Sequence, residues 1–252
     1  MEVCALASGS SGNCFYIGSR EIGKGILIDA GISSKQICLR LNERGLSPEN
    51  VLGVFLTHEH VDHIRGADVF ARSFGVPIFA TRGTFNERFI CSDNELLNAI
   101  GSGSMKFGGF SVKTFMKSHR ASEPVSFLIG HKGKKVGVIT DVGVACENVL
   151  KAISDCDFLC LESNHDLSML ENGRYPYFLK KWISGEDGHL SNLDAALSVA
   201  KHGNGRLKGV VLSHLSENNN TPEVALDTWE KVLDKDIDLW VSTRDVGELI
   251  RI

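Results

Sequence analysis

Four residues with the types and spacing of metal ligands lie within one short segment of the chain. They are His58, His60, Asp62 and His63. The segment follows residues 54–56, a short apolar run that is typical of a buried strand. Neutral imidazoles and carboxylates are ligands of Zn²⁺ and of similar divalent ions. A strand that ends in such a loop delivers these side chains to a sheet edge, so the segment predicts a metal site that faces solvent.

Three further ionisable residues each follow an apolar, β-type segment at the point where it becomes a loop. They are His119, Asp141 and His214. Taken singly, each is also compatible with an ordinary hydrogen-bonded polar residue. Their shared placement indicates that they converge on the first motif. Because Asp62 lies between His60 and His63, its carboxylate can reach a second ion while its neighbours hold the first.

Short strand-like runs alternate with helical patterns along the whole chain. Strands are predicted at residues 3–7, 14–17, 25–29, 53–56, 77–80, 110–115, 125–129, 135–139, 158–161, 209–212, 238–241 and 248–252. Helices are predicted at residues 34–44, 63–74, around Val149, at 193–201 and at 221–233, the last with Thr221 as N-cap and Pro222 at its first position. These alternating elements predict packed sheets flanked by helices, in an α/β fold.

Two segments repeat within the chain and suggest two similar halves. Residues 53–58 resemble residues 209–214, and residues 25–31 resemble residues 138–143. No linker rich in Pro, Gly or Ser separates the halves of this 252-residue chain. We therefore expect a single domain over residues 1–252, with a surface insertion at about 171–188 that is rich in polar and aromatic residues.

Composition restricts the partners and the compartment. The net charge of −4 excludes a broad basic surface, so a phosphate-rich substrate would need local patches. Two candidates are residues 132–135 and 180–181, which are equally typical of solvated surface. Seven cysteines without a CxxC pair predict a reducing, cytoplasmic location. No apolar run approaches the ~20 residues of a membrane helix, and the N-terminus is typical of a strand rather than of a signal peptide.

Several polar residues in loops near the predicted site are candidates for substrate contacts. They are Ser8, Ser10, Ser11, Asn13, His165, Ser191 and Asn218. The backbone amides of residues 8–13 could cradle a phosphate, although a plain tight turn explains the same composition. His189 precedes a predicted helix start, a position where a histidine can contact a bound phosphate. We predict Asp62 and His189 as catalytic residues, with His189 stabilising the transition state or protonating the leaving group; an ordinary loop histidine is the alternative.

The motif at residues 58–63, with single His, Asp and His residues at later strand ends, resembles the metallo-β-lactamase superfamily along nearly the whole chain. The resemblance implies an αββα four-layer sandwich of two pseudo-symmetric halves. It implies a first metal site of His58, His60, His119 and Asp141. It implies a second site of Asp62, His63, Asp141 and His214, with Asp141 bridging. Asp29 matches an aspartate that orients the loop in this superfamily without binding metal.

A narrower resemblance is carried by four segments, at residues 6–14, 161–166, 188–192 and 213–220. They are similar to the YycJ/WalJ-like branch, whose members resemble 5′→3′ DNA exonucleases. The spacing of Glu162, His189 and His214 is also similar to that of tRNA 3′-processing endonucleases of the same superfamily. One position departs from the branch: Arg120 follows His119 where its members usually carry aspartate.

The residue at position 141 favours phosphoester chemistry. Lactamase relatives commonly carry cysteine there, whereas a carboxylate can bridge two ions, either zinc or manganese. Two divalent ions, the carboxylates of Asp62 and Asp141 and one hydroxide leave a net charge of about +1, which favours an anionic phosphate over a neutral β-lactam. Two ions would also activate a shared water.

We therefore predict a dinuclear metal-dependent phosphodiesterase, first as a 5′→3′ exonuclease acting on DNA ends. A chain of 252 residues leaves no room for the inserted cap domain of longer nucleases of the superfamily, so the cleft should be open. Two alternatives stay open: an RNA-processing or cyclic-nucleotide phosphodiesterase, and a metal-bound regulatory protein without turnover. The sequence leaves the oligomeric state undetermined.

Overall fold

The strands of the computed structural model, which describes residues 1–233 and 236–252, form two seven-stranded sheets. The first sheet contains, in spatial order, β14 (Ile250–Arg251), β1 (Glu2–Ala7), β2 (Cys14–Ser19), β3 (Lys24–Ile28), β4 (Val51–Phe55), β5 (Ile78–Ala80) and β6 (Leu97–Ala99). The second contains β7 (Gly103–Phe107), β8 (Phe110–Met116), β9 (Val125–His131), β10 (Lys134–Ile139), β11 (Phe158–Glu162), β12 (Gly209–Ser213) and β13 (Asp238–Val241), from one edge to the other.

The two sheets have the same pattern of strand directions. In the first, β14, β1, β2 and β3 pair in antiparallel fashion and β3 to β6 are parallel. In the second, β7 to β10 are antiparallel and β10 to β13 are parallel. This equivalence confirms the two pseudo-symmetric halves that the internal repeat predicts.

Helices cover the outer faces of both sheets. They are α1 (Ser34–Glu43), α2 (Val61–Ile64), α3 (Ala67–Phe74), α4 (Arg82–Glu87), α5 (Glu147–Ile153), α6 (Leu167–Asn172), α7 (Tyr177–Ile183), α8 (Asn192–His202) and α9 (Pro222–Glu230). Helix α9 begins as predicted, because the Thr221 side chain accepts a hydrogen bond from the Val224 amide. The single helix predicted at residues 63–74 is wrong: it is two helices, interrupted at Gly66, whose amide donates to the Ala30 carbonyl at 2.7 Å.

Three separate apolar clusters show that the layers follow the order αββα. The cluster between the sheets includes Phe15, Phe55, Phe127, Phe158 and Val211. A second cluster packs the first sheet against α1 and α3, and a third packs the second sheet against α5, α8 and α9. Each sheet is therefore buried on both faces, and the four-layer sandwich is confirmed. Among the described residues, no helix combines the length and apolar composition needed to cross a bilayer.

The internal repeat extends to the backbone conformation at the strand ends. Asp29, Asp141 and His214 all have positive φ, at 62°, 54° and 57° respectively. This left-handed conformation is uncommon for residues with a side chain and is often found at functional sites. Each of the three immediately follows a parallel strand or comes two residues beyond it. The sharp turn aims each side chain along the edge of its sheet.

Gly31 and Gly143 occupy equivalent positions two residues after Asp29 and Asp141. The Cα atom of each glycine packs closely against the backbone of a loop from a distant part of the chain. A Cβ at Gly31 would stand 1.6 Å from the Asp62 carbonyl oxygen, and a Cβ at Gly143 would stand 1.9 Å from the Glu186 carbonyl oxygen. Only glycine allows these loops to meet.

We expect Gly31→Ala to displace the loop that carries Asp62 and His63. Because the added methyl overlaps backbone rather than a flexible side chain, the free energy of unfolding should fall by at least about 1–3 kcal/mol, and metal content should fall with it. Thermal unfolding and metal analysis measure both. Gly101→Ala is the matched control, since its Cβ meets no atom within 4 Å. Wild-type melting and metal content in Gly31→Ala would contradict this reading of the close approach.

Candidate metal centre

The two sheets present the ends of six strands to one edge of the sandwich. Strands β3, β4, β8, β10, β11 and β12 all end there and are followed by the loops that carry the predicted ligands. Backbone hydrogen bonds join these loops across the sheets. The Val125 amide donates to the Thr57 carbonyl at 2.9 Å, and the Gly143 amide donates to the Ser118 carbonyl at 2.8 Å. The fold thus brings distant parts of the chain into one rigid cleft.

Three imidazoles form a first cluster. The Nδ1 atom of His60 lies 2.9 Å from Nε2 of His58 and 3.4 Å from Nε2 of His119. Burial lowers the pKa of all three rings, that of His119 to about 3. The rings are therefore neutral near pH 7 and point lone pairs at a common position. Zn–N bonds of about 2.0–2.1 Å in tetrahedral geometry place nitrogens about 3.3–3.4 Å apart, which the 3.4 Å separation matches, while the 2.9 Å separation is shorter.

Asp62, His63 and His214 form a second cluster. The Oδ2 atom of Asp62 lies 3.4 Å from Nε2 of His63 and 3.8 Å from Nε2 of His214. Although burial opposes it, neighbouring carboxylates raise the pKa of His63 well above its usual value, Asp141 foremost. The same balance raises the pKa of His214 to about 10. Without a cation, protons therefore occupy this cluster.

Asp141 stands between the two clusters. Its Oδ2 atom lies 3.0 Å from Nε2 of His63, and its Oδ1 atom lies 3.8 Å from Nε2 of His119. Its pKa is held well below the usual range because the imidazoles of His214 and His63 outweigh the effect of its burial. One carboxylate that is ionised and faces both clusters is the arrangement expected of a bridging ligand.

Hydrogen bonds at the far nitrogen orient four of these rings. In each, Nδ1 contacts an oxygen atom, which leaves Nε2 for the cleft. The pairs are His58 with Thr57 Oγ1 at 2.9 Å, His63 with Asp29 Oδ2 at 2.7 Å, His119 with the Gly188 carbonyl at 3.2 Å, and His214 with Glu162 Oε1 at 2.9 Å. Nε2 of His214 is buried without a hydrogen-bond partner among the described residues, and Oδ2 of Asp141 is buried with the Nε2 atom of His63 at 3.0 Å. This donor set fits divalent ions.

Asp29 lies behind the second ligand cluster, against the far side of the His63 ring. Its Oδ1 atom accepts a hydrogen bond from the Thr57 amide at 2.8 Å, and its Oδ2 atom contacts both the Thr57 hydroxyl and the His63 ring. The side chain is fully buried and lies on the side of His63 that faces away from the cluster. These contacts join Asp29 to Thr57 and His63 of the ligand loop.

Glu162 is a buried residue of the site that sequence reasoning left out of the predicted set. Its Oε1 atom accepts hydrogen bonds from Nδ1 of His189 at 2.8 Å and from Nδ1 of His214 at 2.9 Å. Its Oε2 atom accepts from the amides of Val142 and Leu190. The His189 imidazole in particular keeps the pKa of Glu162 low, at about 2, against the effect of burial. Two signals in the sequence point to it: its position at the end of strand β11 and its spacing with His189 and His214.

His189 lies beside both clusters and, with Asp141, Glu162 and His214, forms a further group of potential metal ligands. Its ring centroid lies 5.4 Å from that of His119 and 5.2 Å from that of His214. Its Nδ1 atom is bonded to Glu162, whereas Nε2 makes no hydrogen bond to the described residues. The His189 side chain remains 12 % exposed, compared with 4 % for His214. It can therefore meet a substrate in the cleft.

The predicted substrate contacts lie in three different settings. Asn13 is at the second cluster, with its side-chain nitrogen 3.2 Å from Nε2 of His63. Ser8 is buried and accepts a hydrogen bond from the His214 amide at 2.8 Å, so it supports that turn. Ser10 and Ser11 are exposed in the same loop.

The other three predicted contacts border the second sheet. The Ser191 side chain caps α8 by accepting a hydrogen bond from the Asp194 amide. His165 is almost fully buried outside the clusters, and neither ring nitrogen has a partner among the described residues. Burial lowers its pKa to about 4. Asn218 is exposed and donates to the Tyr175 hydroxyl at 2.8 Å.

Two cations also lie near the centre. Lys117 is buried, and its ammonium group donates to the Thr140 carbonyl at 2.6 Å, directly before Asp141. Burial lowers its pKa. Arg120 is exposed, and its backbone amide donates to the Asp187 carbonyl at 3.2 Å. The departure at this position thus places a guanidinium group on the rim of the cleft without disturbing His119.

The fold and the site together define a metal-dependent hydrolase of the metallo-β-lactamase fold. A family model described as the metallo-beta-lactamase superfamily matches residues 7–153. The metallo-beta-lactamase fold protein YhfI from Bacillus subtilis has a TM-score of 0.75 at 15 % identity, with 98 % of this chain and 99 % of that chain covered. The chain belongs to the metallo-beta-lactamase superfamily.

Sequence similarity to curated relatives places the chain in a narrower group. Exodeoxyribonuclease YycJ of Bacillus anthracis is 36 % identical over 240 residues, which cover 93 % of this chain and 90 % of the relative. Exodeoxyribonuclease WalJ of Streptococcus pneumoniae serotype 2 is 35 % identical over 226 residues, covering 87 % and 83 % respectively. The predicted membership of the YycJ/WalJ-like branch is confirmed.

Proposed function

We propose that this protein is a metal-dependent 5′→3′ exonuclease that hydrolyses DNA from its ends. The observation that carries the proposal is the pair of adjoining ligand clusters with Asp141 between them. Two curated relatives that match most of the chain are named exodeoxyribonucleases, which supports DNA as the substrate. The open edge of the sandwich fits the end of a strand.

Two divalent ions, zinc or manganese, would be held by the two clusters. His58, His60 and His119 would hold the first, and Asp62, His63 and His214 would hold the second. Asp141 would contribute one carboxylate oxygen to each. Such a pair of ions supplies an activated water and stabilises negative charge on a phosphoryl group.

The residues around the ions have separate tasks in this proposal. Asp62 helps to hold the second ion and stays ionised in the cleft, because contacts with His214 and His63 lower its pKa against the effect of burial. Glu162 fixes the His189 ring through Nδ1. His189 is thus positioned to donate a proton from Nε2 to the leaving oxygen. The Asn13 amide lies close enough to Asp62 to restrain its carboxylate, at 3.3 Å.

The two clusters should differ in how pH affects metal binding. The raised pKa values of His63 and His214 mean that these rings are protonated in the metal-free protein at neutral pH and must release protons to bind an ion. The lowered pKa values at the first cluster mean that its rings are already neutral. We therefore expect affinity for the second ion to rise with pH between 6 and 8, and affinity for the first to stay nearly constant.

Isothermal titration of the metal-free protein in buffers of different ionisation enthalpy counts the protons released for each ion. The expected result is about one or two protons for the second ion and close to none for the first. Equal release in both steps would contradict the assignment of neutral and protonated clusters.

The test of the proposed activity uses metal-loaded protein and single strands labelled at either end. Release of labelled mononucleotides from the 5′ end of DNA is expected, and release from the 3′ end first would overturn the polarity. Faster cleavage of RNA or of a cyclic nucleotide would favour the corresponding alternative enzyme. If DNA, RNA and a generic phosphodiester all stayed intact, the protein would be a metal-bound regulator without turnover.

Other features of the proposal await measurement. A cytoplasmic location, suggested by the seven cysteines, stays a prediction; all seven are free. The single domain over residues 1–252 also stays a prediction. Its proposed insertion at residues 171–188 contains helix α7 and is not wholly peripheral, because its last residue, Gly188, has a carbonyl that contacts His119.

A further inference from the structure

We propose that helix α7 forms a platform on which single-stranded DNA stacks as it enters the metal centre. This platform consists of Tyr177, Phe178, Lys181 and Trp182. The inference rests on the proposed nuclease function and adds a substrate preference to it, for an unpaired strand over a duplex.

The first observation is the exposure of two adjacent aromatic side chains. Tyr177 is 80 % exposed and Phe178 is 73 % exposed. Burying a phenylalanine side chain contributes about 1.5–3 kcal/mol, so packing of the domain core does not explain two rings in solvent. Single exposed apolar residues such as Phe89 are common on protein surfaces, whereas two adjacent rings form a contiguous apolar surface that a ligand can cover.

The second observation is that one face of helix α7 extends from the exposed rings to His189. Phe178, Lys181 and Trp182 are spaced i, i+3 and i+4, so they share one face of the helix. The Trp182 ring stands perpendicular to the His189 ring, with centroids 5.7 Å apart. The His189 amide also donates to the Ile183 carbonyl at 2.8 Å. One helical turn, about 5.4 Å, thus connects an exposed ring with the histidine beside the metal clusters.

The third observation is the charge of this surface. Lys181 is exposed and has no carboxylate partner among the described residues, and the same holds for Arg174 just before the helix. The other predicted basic patch is different, because Lys132 pairs with Glu21 and Lys135 pairs with Asp155. The protein as a whole carries a net charge of −4. The platform is therefore a local combination of cations and aromatic rings.

That combination fits a single strand of DNA. Aromatic side chains stack on bases of any sequence, and nearby cations contact the phosphates. A base within a duplex is already stacked and cannot lie on Phe178. An acidic peptide could pair with Lys181, but it would not account for the two exposed aromatic rings beside the catalytic cleft. The surface thus selects strands that are unpaired near the 5′ end.

Fluorescence anisotropy of the metal-loaded protein tests the platform. The probes are 5′-phosphorylated, phosphorothioate-linked oligothymidines of two to twelve nucleotides with a 3′ dye, together with a blunt duplex. Phe178→Ala should weaken binding of the twelve-nucleotide strand by about tenfold, and Phe178→Trp should restore it. Lys181→Gln should reduce the slope of log affinity against log salt by about 0.7. The gain in affinity between two and twelve nucleotides should shrink in both weakened variants.

Phe89→Ala is the matched control, since Phe89 is a single phenylalanine outside helix α7 with nearly the same exposure, 72 %. Circular dichroism establishes that each variant is folded. Wild-type protein that degrades single strands, together with unchanged binding by Phe178→Ala, would overturn the platform and leave the nuclease proposal standing. Wild-type protein that neither binds nor degrades DNA would overturn both. Equal weakening on the blunt duplex would show a general phosphate contact and would overturn the stacking.

Discussion

Replacing Asp141 with alanine is expected to leave the protein with one metal ion or none and to reduce turnover by more than about 100-fold. Loss of residues that merely support a metal ligand costs 10- to 100-fold, and this carboxylate contacts both clusters directly. Its Oδ2 atom lies 3.0 Å from His63, and its Oδ1 atom lies 3.8 Å from His119. Removing this carboxylate also removes the negative charge between the two metal ions, so that their mutual repulsion is no longer offset.

Metal analysis after gel filtration, compared with the phosphodiesterase rate, measures both effects. The matched control is Asp227→Ala, because Asp227 is an exposed aspartate whose side chain pairs with Lys231, one helical turn away. That variant should keep the metal content and turnover of the wild type. Two bound ions in purified Asp141→Ala would contradict the bridging role, whatever the activity.

Most of the centre could be predicted because its residues share one rule of placement. His58, Asp141 and His214 each follow a strand that the apolar pattern reveals, and strands of a layered fold end at a common edge. The sequence alone therefore predicts that these distant residues lie close together in the fold, even though the loop conformations are not known. The internal repeat predicted that the fold has two similar halves, and the equivalent strand directions of the two sheets confirm this.

Glu162 is harder to assign from the sequence than the histidines. It ends β11 as the others end their strands, and its spacing with His189 and His214 is the only further signal, because a single acidic residue after an apolar run is common. Its importance comes from burial and from two imidazoles that share one of its oxygen atoms. Lys117 gave no signal at all, because lysine is usually exposed and its single buried acceptor is a backbone carbonyl.

The elements that the sequence did not predict are short and depend on tertiary contacts. Helices α4, α6 and α7 have six or seven residues, too few for a helical pattern to stand out. The interruption between α2 and α3 depends on a hydrogen bond from Gly66 to Ala30, a residue far away in the sequence. The role of Ser8 was equally hidden, since its hydroxyl supports the His214 turn from more than 200 residues away.

His189→Ala should retain both metal ions and lose about 10²- to 10⁴-fold in turnover, the range typical of general acid–base catalysis. The ring lies beside both clusters, but its Nδ1 atom is bonded to Glu162 and its Nε2 atom makes no hydrogen bond to the described residues. The ions should therefore stay in place without it. His202→Ala, at an exposed position on α8, is the matched control and should change neither quantity.

The pH profile then separates a proton donor from a residue that only shapes the cleft. If His189 protonates the leaving oxygen, its removal should abolish the alkaline limb of the rate profile and should matter less for a substrate with a good leaving group, such as p-nitrophenol, which departs without a proton. Glu162→Gln should move the same limb while keeping the imidazole. Metal content that fell in step with activity in His189→Ala would make the residue a ligand instead, and an equal loss on both substrates would make it a positioning residue.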